Sequence, residues 1–183
     1  VDACRRMLEA WTEERAPLDW ARSQNSLGTA LRLHGELAGD PEDLDQAIAA
    51  YRSALTVLTR EQWPQEWALI QNNLGAALQK LGESQNDAGV LGEAITAYAN
   101  ALDEMSRKDR PVAWAMTRAN LGNVRRVFAE RTGNTEAGRR AVADFEAVAQ
   151  VFRDASHPRY YHLAKEQLAI ARKLMVQLAA STP

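Results

Sequence analysis

The side chains that could act as acids, bases, nucleophiles or metal ligands are few and scattered in this sequence. His34, His157 and His162 do not pair at i, i+4, and no cysteine or carboxylate cluster joins them. This arrangement has neither the ligand spacing of a zinc site nor the partner that a general base requires. Cys4 has no evident base beside it, and the sequence has no glycine-rich phosphate loop. We therefore expect no catalytic residue, no metal and no cofactor, and we expect His34 to be partly buried.

A repeat of 47 residues organises the chain and must position any site it contains. Self-similarity at a step of about 20–50 residues is the signature of a solenoid of stacked structural units. The recurrence holds for proline, for aromatic residues and for small residues at fixed offsets. The recurring sets are Pro17, Pro64, Pro111 and Pro158; Trp20, Trp67, Trp114 and Tyr161; Gly28, Gly75, Gly122 and Ala169; and Tyr51, Tyr98 and Phe145.

Apolar residues within each period recur every three or four positions, which predicts two helices per repeat, helix A and helix B. Proline opens each helix A, where its missing N–H costs nothing. The stretch from Glu83 to Val90 carries the residues typical of a turn. Helix A is predicted at about 18–37, 65–82, 112–130 and 158–179, and helix B at about 42–59, 89–106 and 136–153.

The repeats divide a single predicted domain, 1–183, into five segments. These are a truncated helix B (1–16), three repeats (17–63, 64–110 and 111–157) and a C-terminal capping helix A (158–183). Terminal units of solenoids usually carry a polar cap, which suits the basic residues of the last helix. We interpret the truncated first helix as a cut through a longer array.

The repeats resemble the tetratricopeptide-repeat family. Its pattern is a leucine–glycine pair and a large apolar residue on helix A, then alanine, aromatic and alanine on helix B. The second repeat meets it with Leu74-Gly75, Leu78, Ala94, Tyr98 and Ala101, and the first with Leu27-Gly28, Leu31, Ala47, Tyr51 and Ala54. The third repeat departs from it at Arg125 and Val148, and Gln24 and Gln71 stand where the family has its first tryptophan. The family period is 34 residues, so we expect about seven added residues in the A–B turn and six at the B–A junction.

The resemblance implies an all-α, right-handed superhelical solenoid of about eight helices in antiparallel pairs. It is strongest to an extended subfamily of large bacterial multidomain proteins, and it extends in part to kinesin light chains. In this family helix A lines the concave face, and peptides lie across several repeats. The resemblance therefore implies a peptide-binding site on outward positions of helix A: Arg22, Asn25, Thr29, Arg32, Leu69, Asn72, Ala76, Gln79, Lys80, Met116, Asn123 and Arg126.

The chemistry of this set is polar and mildly basic. Asparagine is a poor helix former, yet Asn25, Asn72, Asn73 and Asn120 lie within predicted helices. Amide side chains both donate and accept, which suits an extended peptide backbone, while arginine and lysine favour an acidic or C-terminal carboxylate group. The alternatives are an ordinary solvated face and a structural asparagine ladder between neighbouring helices.

Two recurring residue types have structural explanations. Gly28 and Gly75 are expected on the face of helix A that meets helix B, where a side chain would hold the two backbones apart. The tryptophans Trp20, Trp67 and Trp114 are expected to pack against the preceding helix B rather than to form an exposed aromatic stripe.

The composition is that of an ordinary folded protein, with 46% hydrophobic and 25% charged residues. A net charge of −2 argues against nucleic-acid binding, and no apolar run approaches the ~20 residues of a membrane span. A single cysteine fits a reducing cytoplasm. Residues 36–66 carry a net charge of −5 and residues 107–140 a net charge of +6. This asymmetry would permit orientation of a partner or head-to-tail self-association, and the favoured alternative is scattered surface charge.

The sequence therefore favours a non-catalytic scaffold that binds a protein or peptide on the concave helix A face. The alternative is a regulatory or sensor segment of a larger bacterial enzyme or signalling protein.

Overall fold

The computed structural model describes residues 1–180, and within them the chain forms eight α-helices and no β-strand. The predicted all-α class is confirmed. The A helices are α2 (Pro17–Ala38), α4 (Pro64–Gln85), α6 (Pro111–Thr132) and α8 (Pro158–Ala180). The B helices are α1 (Asp2–Ala10), α3 (Pro41–Val57), α5 (Ala88–Asp103) and α7 (Thr135–Asp154). The last three residues of the predicted capping segment 158–183 lie outside the described residues.

The connection between helix A and helix B is a two-residue turn that recurs three times. The first turn residue ends helix A in the left-handed conformation, and the second caps helix B with its side-chain oxygen. The left-handed residues are Gly39 (φ 70°), Asn86 (φ 54°) and Gly133 (φ 71°). The capping residues accept a backbone N–H at 2.9, 2.7 and 2.9 Å, and they are Asp40, Asp87 and Asn134.

The predicted length of this turn is wrong. The sequence indicated a turn from Glu83 to Val90, whereas α4 continues to Gln85 and α5 begins at Ala88. The Ser84 hydroxyl donates to the backbone carbonyl of the preceding turn at 2.9 Å, so this polar residue stays helical. The residues that the sequence assigned to the turn therefore lengthen helix A, which spans 22 residues in α2, α4 and α6.

Each helix A packs along the helix B that follows it: α2 on α3, α4 on α5 and α6 on α7. Helix B also packs on the next helix A in the pairs α1–α2, α3–α4 and α7–α8. The contacts divide the chain into two compact units, which we describe separately. Unit 1 is Val1–Glu104 and holds α1 to α5, and unit 2 begins at Met105 and holds α6 to α8.

The glycine expectation is confirmed. A Cβ atom at Gly28 would lie 2.8 Å from the ring of Tyr51, and one at Gly75 would lie 3.0 Å from the ring of Tyr98. Both tyrosines are fully buried, as is Phe145 in the third repeat. A helical glycine costs up to about 1 kcal/mol relative to alanine, and the close contact between backbone and aromatic ring offsets that cost.

The three tryptophans that recur at the repeat step are buried or half-buried and do not form an exposed stripe. Trp114 is buried, and Trp20 and Trp67 are half-buried. The guanidinium of Arg60 lies 5.2 Å from the ring centroid of Trp67, and that of Arg107, one repeat later, lies 5.1 Å from Trp114. These distances are typical of cation–π contacts. Both arginines belong to the B–A junctions, so each junction is held against the helix that it precedes.

The third repeat carries an ion triad in the contact between α6 and α7. Asp144 is 0% exposed; its Oδ2 lies 2.7 Å from Nη1 of Arg125, and its Oδ1 lies 2.8 Å from Nε of Arg118. The departure of Arg125 from the repeat pattern is thus explained by its pairing with a buried carboxylate. The second repeat is uncharged at the three equivalent positions, which hold Gln71, Leu78 and Ala97.

Candidate functional site

The helix A face of unit 1, which holds most of the expected peptide-binding residues, is bridged by its own side chains. The amide of Asn73 on α4 donates to Oδ1 of Asn25 on α2 at 3.2 Å. Across the same two helices, Nη2 of Arg22 lies 3.8 Å from Oε1 of Glu66. Asn25 therefore takes part in an asparagine bridge between neighbouring A helices. Such a bridge is the structural alternative to peptide binding that the sequence left open for these asparagines.

The basic side chains of the expected site all have carboxylate neighbours. Besides Arg22–Glu66, the pairs are Arg32–Glu36 (2.6 Å), Lys80–Glu83 (3.4 Å) and Arg126–Glu130 (3.3 Å). Exposed pairs of this kind contribute at most about 1 kcal/mol each, but they balance charge locally. The positive charge that the sequence indicated on this face is therefore balanced in part by carboxylates of the chain itself, and the acidic ligand stays a prediction.

Gln79 is buried rather than outward, which corrects the sequence prediction. It is 7% exposed, its amide donates to Glu83 at 2.7 Å, and its carbonyl accepts from the Tyr98 hydroxyl at 3.4 Å. The reason is helical register, because a residue four positions after Gly75 shares the face that meets helix B. Thr29 is half-buried in the same contact of the first repeat and accepts from the Tyr51 hydroxyl at 3.2 Å.

The expected residues not yet described are half-buried or exposed. Leu69 and Met116 are both 51% exposed, and Asn72 and Ala76 are half-buried. Asn123 is also half-buried and accepts from Arg126 at 2.9 Å. The exposed members of the expected set are therefore two basic and two apolar residues: Arg22, Lys80, Leu69 and Met116.

Unit 2 contains an open cleft of about 230 Å³ between its two A helices, which we call the α6–α8 cleft. Its floor comes from α7 and consists of the buried residues Phe145, Val148 and Phe152. The Tyr160 ring stacks on Phe152 with centroids 5.1 Å apart. The walls are Met116, Ala119 and Asn120 from α6 and Tyr160, Leu163, Ala164 and Gln167 from α8. Among the described residues 1–180, no side chain that carries a charge at neutral pH lines this cleft.

Five side-chain replacements distinguish this cleft from the corresponding place in unit 1, two repeat steps earlier. The Arg22–Glu66 ion pair corresponds to Met116 and Tyr160, and the Asn25–Asn73 bridge corresponds to Ala119 and Gln167. The buried Ile70 corresponds to Ala164. In unit 1 an ion pair, a hydrogen bond and the buried Ile70 thus lie between the two A helices. In unit 2 the residues at these positions form neither the ion pair nor the amide bridge, Ala164 is smaller than Ile70, and the α6–α8 cleft lies between the helices.

A larger cleft of about 490 Å³ lies in unit 1, near the A–B turn of the first repeat. Its lining includes Leu33, Leu37, Glu36 and Lys80. The two charged groups are already paired with residues of their own helices, and Leu37 is 90% exposed, so it projects from the surface instead of enclosing a ligand. We therefore regard the α6–α8 cleft, with its aromatic floor, as the better-formed site.

Residues with catalytic or metal-binding chemistry do not assemble in the described part of the chain. Among residues 1–180, no group of three or more His, Cys, Asp or Glu side chains has the arrangement of a metal site. His34 is exposed rather than partly buried, and its Nδ1 pairs with the carboxylate of Asp43. The cause is the neighbouring turn, which brings the start of α3 beside the end of α2. Cys4 is half-buried and unbridged.

The α6–α8 cleft was missed in the sequence because its residues look like ordinary helix positions. Of its lining, only Met116 was among the expected site residues. The available signal was the exchange of Ile70 for Ala164 and of Asn25 for Ala119 at the repeat step. That signal acquires meaning only when the two A helices are known to face each other.

No family model matches this chain, and no curated protein matches it. Within residues 1–180, no helix is long and apolar enough to span a membrane.

Proposed function

We propose that this chain is a non-catalytic protein- or peptide-binding module of the tetratricopeptide-repeat type, a right-handed solenoid of helix pairs that binds on its helix A face. Support for the family comes from the repeat pattern and from the packing of a helix A glycine on a helix B aromatic ring. The single cysteine supports a cytoplasmic setting.

The observation that carries the proposal is the α6–α8 cleft. Ligand sites are concave and mostly apolar, with a few polar groups that fix orientation. This cleft has an aromatic floor and two amide side chains in its walls, Asn120 and Gln167. Met116 and Leu163, on opposite walls, are 51% and 47% exposed, which leaves apolar surface available to a partner.

A random peptide library displayed on phage and selected on the whole chain tests this proposal. We expect binders that require Met116 and Leu163, so that the double variant Met116→Asp/Leu163→Asp weakens binding at least about tenfold by desolvating charge in the cleft. The matched control is Ala143→Asp, which adds a carboxylate at an exposed position of α7 and should leave binding unchanged.

The proposal fails if selection yields no binder, or if every binder is as sensitive to Ala143→Asp as to the double change. Its non-catalytic part fails separately. Reproducible turnover of hydrolase or transferase substrates that disappears on changing Cys4 or His34 would show a reaction site.

A further inference from the structure

The α6–α8 cleft has the size of one side chain. Pockets for drug-sized ligands occupy roughly 300–1,000 Å³, and this cleft has about 230 Å³. An apolar cavity of roughly 150 Å³ in another protein accepts benzene. A phenyl ring or a branched aliphatic group therefore fits this cleft.

The residues that line the α6–α8 cleft disfavour a charged group on the ligand. The floor residues Phe145, Val148 and Phe152 are at most 3% exposed, and no carboxylate, ammonium or guanidinium group from the described part of the chain lines the walls. A charged group that entered would lose its hydration without gaining a partner, which is strongly unfavourable. The occupant that complements this lining is an uncharged apolar group.

Two amide side chains give the cleft a polar requirement as well. Asn120 on α6 is exposed and Gln167 on α8 is half-buried, and within residues 1–180 neither side chain makes a hydrogen bond. The repeat register explains why Gln167 is unpaired. Its counterpart Asn73 bonds to Asn25, but the corresponding partner in unit 2 is Ala119, which has no amide. Each free amide offers both a donor and an acceptor, as a peptide group does.

We propose that the α6–α8 cleft binds an extended peptide segment by inserting one uncharged aromatic or large aliphatic side chain between Met116, Tyr160 and Leu163, above the buried Phe145, Val148 and Phe152, while Asn120 and Gln167 hydrogen-bond the peptide groups on either side of it. This inference rests on the proposed function and names its ligand class. It differs from the acidic ligand that the sequence suggested, because the described residues that line this cleft are uncharged.

The smallest probe that contains these features is N-acetyl-phenylalanine N-methylamide, one side chain flanked by two peptide groups. Titrated into the whole chain, it should shift the methyl NMR signals of Met116, Val148 and Leu163. The leucine analogue should behave alike. The alanine and aspartate analogues should require about tenfold or higher concentrations, since they forfeit the burial of a large apolar side chain.

Variants that place unit 1 residues at the equivalent positions of unit 2 should fill the cleft with side chains that the repeat already accommodates. Ala164→Ile introduces the residue that unit 1 has at Ile70. It should abolish the probe-induced shifts of the methyl signals and leave signals outside the cleft unchanged. If that variant fails to fold, Ala119→Asn, which restores the bridge to Gln167, gives the same test. Asn120→Ala and Gln167→Ala should each weaken binding about 3- to 10-fold. Ile170→Ala, at an exposed position of α8 outside the cleft, should change nothing.

The outcomes separate this inference from the proposed function. Phage-selected peptides that bind the Ala164→Ile variant as well as the wild type would overturn the inference and leave the proposed function intact. Probe binding that is indifferent to both amide variants would also overturn it, in favour of a free apolar molecule. A chain that binds no selected peptide would refute the proposed function itself.

Discussion

Replacing Asp144 by alanine should lower the free energy of unfolding of unit 2 by about 3–5 kcal/mol. The carboxylate is 0% exposed and lies within 2.8 Å of the guanidinium groups of Arg118 and Arg125. Its removal leaves two positive charges facing each other at the contact between α6 and α7, with no counter-ion. Hydrogen exchange of the α6 and α7 backbone amides measures the effect within unit 2, where a whole-chain melting curve would mix both units.

The matched control converts the third repeat to the residues of the second. The triple variant Arg118→Gln, Arg125→Leu and Asp144→Ala installs the equivalents of Gln71, Leu78 and Ala97. Burial raises the pKa of Asp144 although both guanidiniums lower it, which indicates that desolvation of the carboxylate outweighs its pairing. We therefore expect the triple variant to be as stable as the wild type or more stable. A triple variant as weak as Asp144→Ala, or a single variant as stable as the wild type, would contradict this account of the triad.

Replacing Gly75 by leucine should destabilise unit 1 by about 1–3 kcal/mol through overpacking. A Cβ atom there would lie 3.0 Å from the Tyr98 ring, which is 1% exposed and has no room to retreat. The branched leucine side chain would enter the same contact and separate α4 from α5. Urea denaturation followed by tryptophan fluorescence is the measurement, since four of the five tryptophans lie in unit 1.

Gly92 provides the control for this prediction. It lies within α5, and a Cβ atom added there would meet nothing within 4 Å. Gly92→Ala should therefore stabilise the unit by up to about 1 kcal/mol, because alanine favours helix and restricts the unfolded chain. Equal effects of the two substitutions would mean that helix propensity alone matters, and that the contact with Tyr98 contributes nothing.

The features that were predicted correctly from the sequence depend on contacts within one helix A–helix B pair, whose residues recur at the repeat step. The contact of Gly75 with Tyr98 was predictable because both positions recur at the repeat step, and because a small residue facing an aromatic one has a clear packing reason. The helix starts were predictable from Pro17, Pro64 and Pro111. Their ends were less so, since Ser84 and Gln85 are compatible with both a turn and a last helical turn, and only the left-handed cap at Asn86 decides between them.

The features that escaped prediction depend on contacts between A helices. Asn25 and Gln79 look alike in sequence as polar residues within a helix, yet one bridges α2 to α4 and the other bonds Tyr98. The α6–α8 cleft depends on Ala119 and Ala164, which attract no notice in an alanine-rich chain. They matter because the equivalent positions of unit 1 hold the larger residues Asn25 and Ile70. The difference can be interpreted only when it is known which side chains of the two A helices face each other.

The two-residue turns have a consequence for the order in which the chain folds. Gly39-Asp40, Asn86-Asp87 and Gly133-Asn134 each join a helix A to the helix B packed on it. The ring closed between Gly75 and Tyr98 is only 23 residues long, so little chain entropy is lost before that contact forms. Helical proteins whose contacts are this local fold in about microseconds to milliseconds. We therefore expect the contacts within each hairpin to form first, and the packing of helix B on the next helix A to follow and stabilise them.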